Sequence, residues 1–140
     1  MQTHIELGEE EARIAIDTAL NELRRRGKAA TIAVGDRAGE IIALWKMNGA
    51  NLPSVGIAQN KVFTAARVRG YSGDVGRATF ADNALMSYHG SARYVGWDGG
   101  APVMIDGHCV GSVAVSGLAG EEDLELAEMA VKAILASLKA

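Results

Sequence analysis

The chain has 140 residues, of which 49% are apolar and 22% charged, with a net charge of −3. That length suits one folded domain, residues 1–140, with a core of its own, and the composition argues against disorder. The slight acidity argues against nucleic acid as a partner, no apolar run reaches the ~18 residues of a membrane span, and a lone cysteine, Cys109, excludes an intrachain disulfide framework.

Glu9 to Arg26 is predicted to be a helix. Ala12, Ile16, Ala19, Leu20 and Leu23 recur at spacings of three and four and form one apolar stripe. Glu9, Glu10 and Glu11 open it and Arg24, Arg25 and Arg26 close it, matching the helix dipole at both ends. Gly27 is placed for the left-handed residue just past the end. Residues 29–35 and 40–47 read as an antiparallel hairpin about the turn Asp36-Arg37-Ala38-Gly39, and Asn48-Gly49 ends the second strand.

Ser54 to Gly70 is expected to be the next helix, with Ser54 as its N-cap. Tyr71 to Gly76, with glycines at 70, 73 and 76, reads as a linker and not as a dinucleotide loop. Arg77 to Tyr88 is expected as a short helix and His89 to Gly100 as a loop of the length that often carries function. Residues 101–105 and 108–116 form a second hairpin about Asp106-Gly107, a type I′ pair. Glu121 to Lys139 is the last helix, striped by Leu124, Ala127, Val131, Ile134 and Leu138. The order is α-β-β-α-(α)-β-β-α. With no βαβ alternation, it points to an α+β fold whose antiparallel sheet is covered by helices.

Three stretches carry a family resemblance: VGDRAGEIIALWKMNGA (34–50), SVGIAQNKVFTA (54–65) and GGAPVMIDGHCVGSVAVSG (99–117), with EEDLELA (121–127) opening the last helix. Together they resemble the GlcG/HbpS-like family, also called the haem-degrading or PduO C-terminal domain family. The resemblance implies a profilin-like antiparallel sheet of about five strands, the fifth near Ala92 to Val95. It also implies homo-oligomers and small-molecule ligands, with haem or a related tetrapyrrole as the leading cofactor. Asn48 stands where the family usually has an aspartate, so a carboxylate is absent there.

Lys61 and Thr64 match the family's K-x-x-T and share a helix face. Lys61 there pairs with a ligand's carboxylate, or forms a Schiff base, or lies as a surface lysine with its stem on apolar side chains. Arg67 is the next cation on this helix, with a solvated face as its plainer role. His89 is the candidate for a haem-iron ligand or a general base, against a solvent-exposed loop histidine. The expected ligand-binding set is therefore Lys61, Thr64, Asn48, Met47, Arg67 and Pro102, in a pocket between the 54–70 helix and the Tyr88–Pro102 loop. His4 and His108 read as exposed. No two histidines stand at zinc-ligand spacing. Cys109 reads as a small buried apolar residue, and Asp36 and Asp106 as turn residues.

Two activities fit these residues. One is a binding module for an anionic tetrapyrrole. The other is an enzyme that hydrolyses or tautomerises a small organic acid oriented by Lys61, Thr64 and Asn48. The unpaired cysteine suits a reducing compartment. The N-terminal residues lack the basic and apolar regions of a secretion signal, so the expected location is cytoplasmic.

Overall fold

The computed structural model describes residues 1–139. Its elements are α1 (Glu9–Arg26), β1 (Thr31–Gly35), β2 (Ile41–Lys46), α2 (Ser54–Val68), α3 (Ser72–Ala81), a 3₁₀ turn (Met86–His89), β3 (Gly100–Ile105), β4 (His108–Ser116) and α4 (Gly120–Ser137). The strands make one antiparallel sheet in the order β2-β1-β4-β3. Among the described residues no helix is long and apolar enough to cross a membrane.

Helices α1 and α4 cover one face of this sheet. Their buried stripes, among them Ile16, Leu20 and Leu23 of α1 and Leu126 and Ile134 of α4, meet Ile32, Val34, Val113 and Val115 from the strands. Each such side chain contributes about 2 kcal/mol by leaving water. The Gly8 N–H donates to Glu11 Oε2 at 3.0 Å and caps the start of α1. At its end Gly27, φ 67°, donates to the Arg24 carbonyl while Lys28 donates to Leu23.

The other face is covered by α2. Ala58 and Val62 pack on Ala33 and Ala114, and this layer is thin because small residues let the helix come close. Gly35 shows how close: a Cβ there would lie 2.2 Å from Val62 Cγ1. Both hairpin turns follow the expected chemistry. Asp36 Oδ1 accepts the Ala38 and Glu40 N–H groups. Asp106 and Gly107, φ 49° and 80°, take the two left-handed positions of a type I′ turn.

Four expectations change. The sheet has four strands, not about five. Residues 92–95 follow the surface of α2 instead, and the Val95 N–H goes to the Thr64 hydroxyl at 2.9 Å rather than to a strand. The stretch 71–76 is not a linker, because α3 begins at Ser72 and runs through Gly73 and Gly76 to Ala81. Those glycines normally weaken a helix, but here they admit a neighbour. A Cβ on Gly73 would lie 1.7 Å from Asp98 Oδ1, and one on Gly76 would lie 2.3 Å from the Gly96 carbonyl oxygen. The predicted helix over 77–88 is correspondingly displaced, and only the 3₁₀ turn occupies its far end. Finally, Ser54 is not the N-cap of α2. Pro53 holds that position, and the fully buried Ser54 hydroxyl donates to the Asn51 carbonyl at 2.6 Å and meets Thr31 Oγ1 at 2.8 Å.

Candidate ligand-binding sites

Lys61 lies on the buried face of α2, one turn from Ala58 and Ala65, and is 2% exposed. Its ammonium donates to the Val115 carbonyl at 2.9 Å and to Asp123 Oδ2 at 3.1 Å. Asp123, in the first turn of α4, is also 2% exposed, and its Oδ1 accepts the Leu118 N–H at 3.1 Å. Gly99 closes over the pair, since a Cβ there would lie 2.6 Å from Lys61 Nζ. Burial pushes the Lys61 ammonium below its ordinary value, with Asp123 opposing, and pushes the Asp123 carboxyl up, with Lys61 opposing. The pair edges a cleft of about 270 Å³ that also has Asp98, Asn51, Leu118 and the exposed Trp97 on its walls.

The loop before β3 is held at several points. Ser72 Oγ donates to the Trp97 carbonyl at 2.6 Å and accepts the Gly100 N–H at 2.9 Å. Arg77 forks onto both oxygens of Asp98 at 3.1 and 3.2 Å. A segment with so many fixed backbone groups is a wall, not a flap.

A second groove, of about 400 Å³, lies between α3 and the end of α2 and is lined by Val68, Val75, Ala78, Ala84, Tyr88 and His89, with Thr79 and Asp82. His89 Nε2 is 2.9 Å from the Thr79 hydroxyl. The single Thr79 hydroxyl proton goes to the Val75 carbonyl at 2.7 Å, so toward His89 the hydroxyl accepts. That assigns the proton to Nε2 and leaves the lone pair on Nδ1. The imidazole lies 5.5 Å from the Tyr94 ring, and Tyr94 meets Phe63 edge-on at 4.9 Å. Arg67 and Arg93 in turn stand over Phe63, at 4.5 and 4.0 Å from its centroid.

The predicted site residues thus fall in separate places. Lys61 lines the first cleft and His89 the second groove. Met47 and Asn48 share a small depression with Arg24 and Trp45 at the end of β2. Thr64 is fully buried, donating to the Asn60 carbonyl and accepting from Val95, so its hydroxyl pins the 90s loop. Arg67 donates Nε to the Ala38 carbonyl at 3.0 Å. Pro102 is buried in β3 opposite Ser112. The expected wall pairing of α2 with the 88–102 loop exists at Trp97 and Asp98, but it encloses Lys61 without His89.

Asp123, Asp98 and Thr79 escape a reading of the sequence for chemistry. Asp123 had a signal: it stands four residues before Ala127, on the stripe continued by Ala130 and Ile134, so a carboxylate on that face needs a buried partner. Thr79 and His89 lie on either side of a chain reversal, which no local period announces.

Protein GlcG of Escherichia coli K12 is 32% identical over 122 residues, covering 83% of this chain and 85% of its own. The fold matches protein ORFY of Klebsiella pneumoniae with a TM-score of 0.89 at 23% identity, over 97% of this chain and 95% of that one. It also matches the PduOC–haem complex with a TM-score of 0.83 at 21% identity, over 92% and 95% of the two chains. A family model described as haem degrading protein HbpS-like matches residues 7–132, and the chain belongs to that HbpS-like family.

Proposed function

We propose that this protein binds a small ligand, and that the ligand is haem or a related tetrapyrrole taken up in the groove beside His89. Family membership and the haem complex of a protein with the same fold support the class of ligand. The observation that carries the reading is the Thr79–His89 contact. A histidine that ligates a metal almost always donates its other ring N–H to an oxygen, which fixes the tautomer. Here Thr79 takes the Nε2 proton, so Nδ1 is the nitrogen that would hold iron.

The surroundings fit such a group. Val68, Val75, Ala78 and Ala84 offer apolar surface to a flat macrocycle. Arg67, over Phe63, is the guanidinium there without a carboxylate partner, whereas Arg93 already meets Glu40. When bound, the group supplies an iron centre. The chain's own part is to present one imidazole nitrogen, exclude water from one face and pair the acid groups.

Titration of the protein with haem tests this. A Soret band that saturates, and that is lost or displaced in His89→Ala, is the expected result. No spectral change at micromolar haem overturns the reading.

A second reading, an enzyme acting on a small organic acid, is favoured by one observation. Lys61 is a desolvated lysine on the edge of a cleft, and burial favours its neutral, basic form. With Thr64 and Asn48 elsewhere, Lys61 alone would serve proton transfer in hydrolysis or tautomerisation. Turnover abolished in Lys61→Met with folding retained would support it, and turnover unaffected by that change would overturn it.

A further inference from the structure

A third cavity belongs to neither site. A cleft of about 540 Å³ opens between the N-terminal segment, the β1–β2 turn, the end of α2 and the β3–β4 hairpin. None of its lining residues is shared with the Lys61 cleft or the His89 groove. Arg37 enters from the β1–β2 turn and Arg69 from the end of α2, with His108 and Asp106 from the hairpin.

Neither guanidinium has an ion-pair or hydrogen-bond partner among the described residues. The nearby Glu6 carboxylate accepts the Arg37 backbone N–H at 3.1 Å instead. Among the other arginines, Arg25, Arg26, Arg77 and Arg93 meet carboxylates, while Arg67 donates only to the Ala38 carbonyl. The two free cations line one cleft with Cys109, whose thiol is pushed up by burial, with both arginines opposing. Burial prevails, so Cys109 is held as a thiol and is not the reactive group of the cleft.

Arg69 is also held in an unusual backbone. It caps α2 in the left-handed region at φ 56°, where glycine is the ordinary occupant, although Gly70 is the next residue. An arginine there is less stable than a glycine would be. The remaining walls are set by packing. The Leu7 N–H donates to the Val110 carbonyl at 2.9 Å and its side chain is buried, which holds the N-terminal segment across the cleft. Ile105 and Val110 give the cleft an apolar side.

We propose that this cleft binds a small dicarboxylate, with Arg37 and Arg69 each taking one carboxylate and the Ile105–Val110 side meeting the short carbon chain between them. Two planar forks on two different elements suit two separated carboxylates better than one compact anion. The lining carries two guanidiniums against one carboxylate, Asp106, a net positive charge that favours an anion. A volume of about 540 Å³ lies within the range of small-molecule sites. No phenylalanine, tyrosine or tryptophan is among the residues lining the cleft.

The test is an amide-resolved NMR titration with succinate, with succinamide as the uncharged analogue and inorganic phosphate as the compact anion. Saturable movement of the amides of Arg37, Arg69 and residues 106–110 with succinate, and none with succinamide, is expected. Arg37→Gln and Arg69→Gln should each weaken binding about tenfold or more, while Arg24→Gln, an exposed arginine outside the cleft, leaves it unchanged. Arg69→Gly should weaken binding and raise thermal stability together, a combination that a merely structural arginine does not give. No saturation in the millimolar range overturns the proposal. So does binding indifferent to both arginines, and so does phosphate binding as tight as succinate, which would make this a general anion site.

Discussion

The Lys61 ammonium stands 3.1 Å from Asp123 Oδ2, and each of the two residues is only 2% exposed. This ion pair ties the middle of α2 to the first turn of α4 across the end of β4. Its value lies in completeness: the second Asp123 oxygen accepts Leu118 N–H and the ammonium also reaches Val115. Removing one partner leaves a buried charge without compensation, which costs about 3–5 kcal/mol. Lys61→Met and Asp123→Leu should therefore each lower unfolding free energy by that order in urea denaturation. The double replacement should cost less than the sum, because no orphan charge remains, although Val115 and Leu118 still lose a partner. Single substitutions that cost under ~1 kcal/mol, in the range of a surface pair, would show the charges to be solvated.

Two helical glycines should respond to alanine in opposite directions. In α2 a Cβ on Gly56 meets nothing within 4 Å, so Gly56→Ala should stabilise by about 0.5–1 kcal/mol through helix propensity. In α3 a Cβ on Gly76 would lie 2.3 Å from the Gly96 carbonyl oxygen, and the atom it meets is backbone. Gly76→Ala should destabilise by about 1–3 kcal/mol, as overpacking does. Trp97 is beside the displaced segment, so its fluorescence should shift in the Gly76 variant and not in the Gly56 variant. Equal effects at the two positions would mean that α3 and the 96–98 segment do not meet.

This contrast also explains where the sequence was legible. Hairpins announced themselves through Asp36…Gly39 and Asp106-Gly107, and α1 through its stripe of period near 3.6, whereas in α4 the buried face runs through Asp123, Leu126, Ala127, Ala130 and Ile134 and leaves the expected Leu138 exposed. Helix α3 did not, because Gly73 and Gly76 are chosen for the approach of another segment and read locally as breakers. The supposed fifth strand failed for the complementary reason: Val95 gives its N–H to Thr64, a side chain 31 positions away, and no local pattern signals that. At the sites, Lys61 was visible as a cation on an apolar frame. Its partner Asp123 was hidden among acids that also suit a helix start, and only its place on the buried stripe marks it out.

Acid should weaken the contact between α1 and α4. Glu22 sits among Arg25 and Arg26, whose hydrogen bonds hold its carboxyl down to about 2 from an ordinary 4.5. Arg26 also meets Glu122 and Glu125 of α4, and Lys28 meets Glu122, which they hold below its ordinary value. A carboxylate with a depressed folded-state value contributes stability that is fully present above its unfolded value and lost as pH falls through the folded one. The melting temperature should thus decline from near pH 4.5 toward about 2, and the decline should be shallower in Glu22→Gln. A melting temperature flat across that window would show that these surface pairs contribute nothing to the fold.

Thr79 should position His89 through one hydrogen bond, and the effect depends on which partner donates. The Thr79 hydroxyl gives its proton to Val75 and accepts from Nε2. Thr79→Val keeps the shape of the side chain and removes the acceptor, so the ring loses the reason to carry its proton on Nε2. Nitrogen NMR of the imidazole should then show the two tautomers mixing, whereas Thr79→Ser should retain the single form. If the groove holds haem through Nδ1, Thr79→Val should also weaken haem binding by about 10–100-fold, as removal of an oxygen that orients a ligating histidine does. The tautomer readout stands without any ligand, so it separates the hydrogen bond from the haem reading. An unchanged tautomer in Thr79→Val would show that the ring is oriented by its packing on Tyr94 and not by the threonine.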